Sequence, residues 1–208
     1  MTSVQIGAAH LDVLTELGNI GISRAARQLS QLLNEPILIA VPRVELCTPS
    51  EAARHLDPGG GGELACVYQR MSGELPGHIA LLLPARDTHL LFRDLLGQGA
   101  PLHTLDLRAF EHEAMTEIGN ILISSCISAM ADMLGLRIDV SVPRFAEAHA
   151  QELIQDDAGA DGERVALLIH THLTAARRDL EGTILLMLST TAAEKVMRAV
   201  QALILAAD

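Results

Sequence analysis

Residues 113–124 read Glu-Ala-Met-Thr-Glu-Ile-Gly-Asn-Ile-Leu-Ile-Ser, and residues 12–23 read Asp-Val-Leu-Thr-Glu-Leu-Gly-Asn-Ile-Gly-Ile-Ser. A shift of 101 positions superimposes Thr15-Glu16 on Thr116-Glu117, Gly18-Asn19-Ile20 on Gly119-Asn120-Ile121, and Ile22-Ser23 on Ile123-Ser124. After the same gap of twenty-two residues each copy meets a Val-Pro-Arg run, with Pro42 following Asn19 and Pro143 following Asn120. Polar residues that recur at one offset mark an internal duplication. The expected organisation is one domain over residues 1–208, made of two homologous halves at about 10–100 and 107–207.

Working outward, residues 10–34 have helical period. At about 100° per residue, Leu14, Leu17, Gly18, Gly21, Ile22, Ala25, Leu29 and Leu32 share one face, and Asp12, Glu16, Asn19, Ser23 and Arg27 the other. A second helix over about 107–134 sets Glu113, Glu117, Asn120, Ser124 and Ser128 against Met115, Ile118, Gly119, Leu122, Cys126, Met130 and Met133. Glycine weakens an isolated helix, so Gly18 and Gly21 on an apolar face imply close backbone approach to a neighbour. Strand-like runs follow at 37–46 and 138–145, each holding its proline, which implies a sheet edge, a strand end or a bulge. Hairpins are expected at 64–71 with 78–83 and at 165–173 with 182–188, and shorter helices at 88–96 and 192–205. Residues 48–62 and the acidic stretch 148–162 read as loops, and 101–106 as the link between halves. The fold class is α+β: a pseudo-twofold duplication with a largely antiparallel sheet and long helices packed on it.

Composition narrows the function. The core must be aliphatic, because the chain has no Trp, one Tyr and three Phe. Scarce aromatics and a net charge of −11 both argue against nucleic acid, which calls for stacking platforms and a basic surface. Cys47, Cys66 and Cys126 are odd in number and in no metal-binding spacing, so they read as reduced core thiols. No signal peptide is evident at the N-terminus and no long uninterrupted apolar run suggests a membrane span. A cytoplasmic, monomeric protein is expected.

The duplicated polar face limits the chemistry. Glu and Asn three residues apart project from one side of a helix, about a turn from each other. A carboxamide can orient a water molecule, accepting one hydrogen bond and donating another, and a carboxylate can pair with a lysine. Neither is a good nucleophile, which disfavours self-contained hydrolysis. The pair suits a protein that inserts a water-positioning group into another protein's active site, where an activated phosphate needs little more than an aligned water. For a single triplet the simpler explanation is a solvated helix face; duplication at equal spacing argues against it.

The pattern Asp/Ser-x-x-x-Glu-x-x-Asn, then twenty-two residues, then Pro, resembles the signature of the CheC/CheX/FliY family of chemotaxis phosphatases, and two motifs without a flagellar domain are most similar to its CheC-type members. The resemblance spans about residues 10–205. It implies dephosphorylation of the aspartyl-phosphate of a CheY-type response regulator. By resemblance, Asn19 and Asn120 orient the attacking water, while Glu16 and Glu117 dock a lysine of the regulator. The Mg²⁺ is the regulator's, and no cofactor of the chain's own is implied. The deamidase CheD is a further implied partner. Asp12 matches the first acidic position; Glu113, its counterpart, is longer than the pattern's residue. Pro42 and Pro143 read as structural, since proline offers no catalytic group. Ser23 and Ser124, one turn past each Asn, either support its orientation or are simply solvated.

Two other readings compete. A non-catalytic CheC-like module would tether a regulator, CheD or a flagellar switch component; retention of both Glu–Asn pairs speaks against it. A metal hydrolase would use His170 and His172, alternating on a strand, with a carboxylate such as Glu163.

Overall fold

Helix α1 (Ala8–Leu33) starts where His10 Nδ1 accepts the Gly7 N–H at 3.3 Å, and it stops at Asn34, whose φ of 52° is left-handed. Its counterpart α4 (Thr104–Leu134) stops at Gly135, also left-handed at φ 63° and again 101 positions on. A left-handed residue just past the last turn closes a helix by letting the chain reverse onto its own free carbonyls. The computed structural model describes residues 7–96, 104–155, 164–175 and 178–207. After α1 come β1 (Leu38–Cys47), α2 (Pro49–Leu56), β2 (Glu63–Gly73), β3 (Gly77–Pro84) and α3 (Ala85–Leu96). After α4 come β4 (Ile138–Val140), β5 (Arg144–His149), α5 (Ala150–Gln155), β6 (Arg164–Ala175), β7 (Arg178–Ser189) and α6 (Thr190–Ala207).

The seven strands among the described residues lie in one antiparallel sheet, ordered β1-β6-β7-β3-β2-β4, with β5 also paired to β2. The hairpins β2–β3 and β6–β7 meet at the centre through β3 and β7. Each half gives its first strand to the other half's hairpin. Thus β1 pairs with β6, and β4 and β5 pair with β2, so the two copies are interlocked by exchanged edge strands.

Burial follows the strand period of two. Ala65, Val67 and Met71 of β2 join Leu167 and Ile169 of β6 beneath α1, α4 and α6, which contribute Leu17, Ile22, Met115, Leu122 and Val196. The opposite parity, Cys66 on β2 with Ala166 and Leu168 on β6, packs under α2 and α5 through Ala52 and Ile154. A Cβ on Gly21 would stand 2.8 Å from Cys126 Cα, so α1 and α4 cross backbone to backbone there, as the glycine on the apolar face implies.

Several details differ from the sequence expectation. Residues 48–62 are not all loop: Thr48 Oγ1 accepts the Glu51 N–H at 3.3 Å and Glu51 Oε2 accepts the Thr48 N–H at 2.9 Å. This reciprocal capping box, with Pro49 at the first helical position, starts α2. Residues 148–155 likewise form the end of β5 and α5, with Glu152 Oε2 accepting the His149 N–H; the acidic run 156–163 lies outside the described residues. The strand expected over 138–145 is broken into β4 and β5 at Ser141-Val142-Pro143. Helix α4 begins at Thr104, inside the expected link 101–106, of which 101–103 lie outside the described residues. Leu32 and Met133, assigned to apolar faces, are 52% and 41% exposed, each in the last turn of its helix. One segment, Arg108–Leu134 of α4, is long and apolar enough to cross a membrane by length and composition alone. Its apolarity belongs to the core: half of its most apolar window is buried against this protein's own sheet and α1.

Candidate functional site

Both asparagines sit beside a bulge in the sheet's edge, Asn19 against the bulged strand β1 itself and Asn120 against β2, the strand that faces the bulge. In the first copy Ala40 faces His172 and Arg43 faces His170, so Val41 and Pro42 together oppose Thr171 alone. In the second, Val140 faces Met71 and Arg144 faces Tyr68, so Ser141, Val142 and Pro143 oppose Gln69 and Arg70. Each strand therefore carries one extra residue at its Val-Pro-Arg. Proline lacks the N–H a regular ladder needs, and a bulge on an edge strand tolerates that loss.

The residue before each Asn sets how near the helix lies. A Cβ on Gly119 would stand 2.4 Å from Val67 Cβ, and one on Gly18 would stand 3.3 Å from Val41 Cγ2. The bare glycine lets α4 rest directly on β2, placing Asn120 at the seam between helix and sheet.

From this shared frame the two carboxamides are held differently. Asn19 Oδ1 accepts the Val41 N–H at 3.1 Å. A backbone N–H can only donate, so the amide's orientation is fixed, with Nδ2 directed away from β1. Val41 itself is buried at 4% exposure. In the second copy the equivalent Val142 is turned outward, 82% exposed, and Asn120 Oδ1 instead accepts Gln69 Nε2 at 3.1 Å and the Ser124 hydroxyl at 3.5 Å. Ser124 therefore does contact its asparagine, whereas Ser23 is exposed and makes no such bond.

One turn earlier, Glu16 and Glu117 are exposed, and Asp12 and Glu113 extend the same acidic stripe. None of these four carboxylates is paired with another described residue, which leaves them open to a cation from outside. Pro42 is exposed and Pro143 half-buried, both at the bulges. Each copy thus offers an exposed carboxylate and, one turn on, a clamped amide at the sheet margin.

The histidine pair behaves otherwise. His170 Nε2 lies 3.5 Å from Glu45 Oε2, which His55 Nδ1 also approaches at 3.1 Å, while His172 Nε2 lies 3.6 Å from Asp179. The two share a face of β6 but turn to different carboxylates, and Glu163 lies outside the described residues. Among the described residues, no group of three His, Cys, Asp or Glu side chains is arranged to hold a metal ion. Burial pushes the Cys66 and Cys126 thiols up to about 12 each; Cys47 rises to about 11 through burial and then the nearby Glu51 and Glu45.

Two contacts escaped the sequence reading. The Val41 N–H is invisible to any side-chain motif. Gln69 did leave a trace: it shares strand parity with Ala65, Val67 and Met71, making it a lone polar residue on an apolar face, 1% exposed.

The model of the CheC-like family matches residues 10–46 and 110–147, the two helix–strand units that carry the asparagines. The CheY-P phosphatase CheC of Bacillus subtilis (strain 168) is 33% identical over 139 residues, and that match spans 65% of this chain and 65% of that protein's length, just under two thirds. The putative CheY-P phosphatase CheC1 of Halobacterium salinarum is 22% identical over 182 residues, 88% of this chain and 91% of that one. Among solved structures, Thermotoga maritima FliY superimposes with a TM-score of 0.70 at 20% identity, covering 95% of this chain and 98% of that one, a likeness of fold. Over the two helix–strand units the chain is similar to the CheC-like family.

Proposed function

We propose that this chain is a phosphatase that hydrolyses the aspartyl-phosphate of a CheY-type response regulator in chemotaxis signalling. The observation that carries the reading is the repeated site: at both sheet margins an exposed Glu, unpaired among the described residues, stands one turn before an Asn whose amide is held by a hydrogen bond from the sheet.

In this reading Glu16 or Glu117 pairs with a lysine of the regulator, which brings α1 or α4 across its phosphorylated aspartate. The Asn19 or Asn120 amide then holds one water in line with phosphorus. Attack forms the new P–O bond and breaks the bond to the aspartyl oxygen, so a carboxylate leaves and the water's proton goes to the released phosphate. An acyl phosphate is already activated, and positioning supplies most of what remains. The Mg²⁺ that neutralises charge is part of the substrate, bound by the regulator. On this reading the chain acts as a cytoplasmic monomer, its net charge of −11 suiting a partner that presents a cation, and CheD is a second partner expected of the family.

The test mixes substoichiometric protein with Mg²⁺-bound, phosphorylated regulator and follows inorganic phosphate. Release of many equivalents per chain supports catalysis. Decay at the regulator's own rate, with a complex still formed, refutes it in favour of a tether.

A further inference from the structure

The bulge at Val142 leaves Asn120 without the backbone donor that fixes Asn19, and a buried side chain stands in its place. Thr171 and Gln69 occupy corresponding positions, each opposite a bulge and each facing the helix-covered core, 6% and 1% exposed. In the first site the bulge turns the Val41 N–H onto Asn19, and a short Thr suffices beneath it. In the second the bulge swings outward, and only the longer Gln reaches the asparagine, donating from Nε2 at 3.1 Å. Gln69 Oε1 is buried with no hydrogen-bond partner among the described residues, so the bond from Nε2 to Asn120 is the one polar engagement this side chain has there. Placing a carboxamide in an apolar strand face costs free energy unless it is bonded, which makes a merely space-filling role a poor account of it.

We propose that Gln69 is a positioning residue for Asn120, fixing the plane of its amide so that the remaining N–H groups meet the attacking water at a set angle. The proposal rests on the phosphatase reading above and deepens it. The two sites then differ in kind: the first amide is set by the main chain, the second by a replaceable side chain.

The test uses the single-site chain Asn19→Ala and adds Gln69→Met, which fills similar volume without an amide. The expected result is a fall in kcat of about tenfold to a hundredfold, as for a misplaced reacting group, with KM for the phosphorylated regulator moving less than about twofold, because Glu117 still docks it. An active single-site chain whose kcat ignores Gln69→Met overturns the proposal and leaves the phosphatase reading standing. Loss of kcat together with KM and with thermal stability marks a structural role and also overturns it. A single-site chain inactive before Gln69 is changed overturns the proposal too, and wild-type chain without activity refutes the phosphatase reading itself. Nitrogen relaxation of the Asn120 side-chain amide in wild-type protein tests the same point without a variant. An order parameter near the rigid-backbone value of about 0.85 is expected, and one below about 0.6 contradicts the clamp.

Discussion

Asn19 Oδ1 accepts a hydrogen bond from the Val41 main-chain N–H at 3.1 Å, across twenty-two positions of sequence and from helix to edge strand. The residue given the chemistry is therefore also a tie between α1 and β1, and the two roles can be separated. Asn19→Asp keeps an acceptor for Val41 but removes the amide donors and adds a negative charge beside the incoming phosphate. Asn19→Ala removes both, leaving a buried N–H with no acceptor, at a cost of about 1–3 kcal/mol. Denaturant titration is expected to show the aspartate variant near wild type and the alanine variant weaker by that amount, with first-site turnover lost in both.

A second prediction concerns the glycine before each asparagine. A Cβ at Gly119 overlaps Val67 Cβ at 2.4 Å, between two rigid elements, so α4 must lift from β2. Overpacking of this kind costs about 1–3 kcal/mol, more than the roughly 1 kcal/mol that Gly→Ala returns in helix propensity. At Gly18 the nearest contact is 3.3 Å, to a methyl of Val41, and the two effects nearly cancel. Thermal unfolding is expected to show Gly119→Ala clearly destabilised and Gly18→Ala close to wild type. In the Asn19→Ala background, Gly119→Ala is expected to lose phosphatase activity as well, because Asn120 moves with the helix.

Acid sensitivity has an identifiable contributor. Burial, then the neighbouring Arg43, hold the His170 imidazole below its ordinary range; Glu45 opposes them and His55 adds a smaller depressing effect. In the unfolded chain His170 ionises near its ordinary value of about 6.5. Between that value and its lower folded value the unfolded state binds more protons. Stability contributed here is complete above about pH 6.5 and is lost as pH falls through the folded-state value. Comparing wild type with His170→Gln at pH 7.5 and 5.5 is expected to show a smaller acid-induced loss in the variant. An equal loss in both removes His170 from the cause.

The duplicated helices, edge prolines and hairpins were legible because each leaves a period or a spacing in the sequence. Helices α2 and α5 were not, being six to eight residues long, too short for a helical period to separate them from loop. The capping box at Thr48–Glu51 was the available signal for α2. The exchange of β1 and β4/β5 between halves could not be read at all, since pairing partners are set by packing rather than by local pattern. The site shows the same division. Glu16, Asn19, Glu117 and Asn120 stand out as a repeated polar face, whereas the identical Val-Pro-Arg runs conceal that Val41 is buried and Val142 exposed. One extra residue per bulge permits either outcome, and the surroundings decide which.

The measurement that bears most directly on the function is the decay of Mg²⁺-bound, phosphorylated CheY-type regulator with four chains: wild type, Asn19→Ala, Asn120→Ala and the double variant. Acceleration by wild type, reduced in one or both single variants and abolished in the double, is the expected result. A double variant that remains folded and accelerates decay as wild type does would contradict water positioning by these amides.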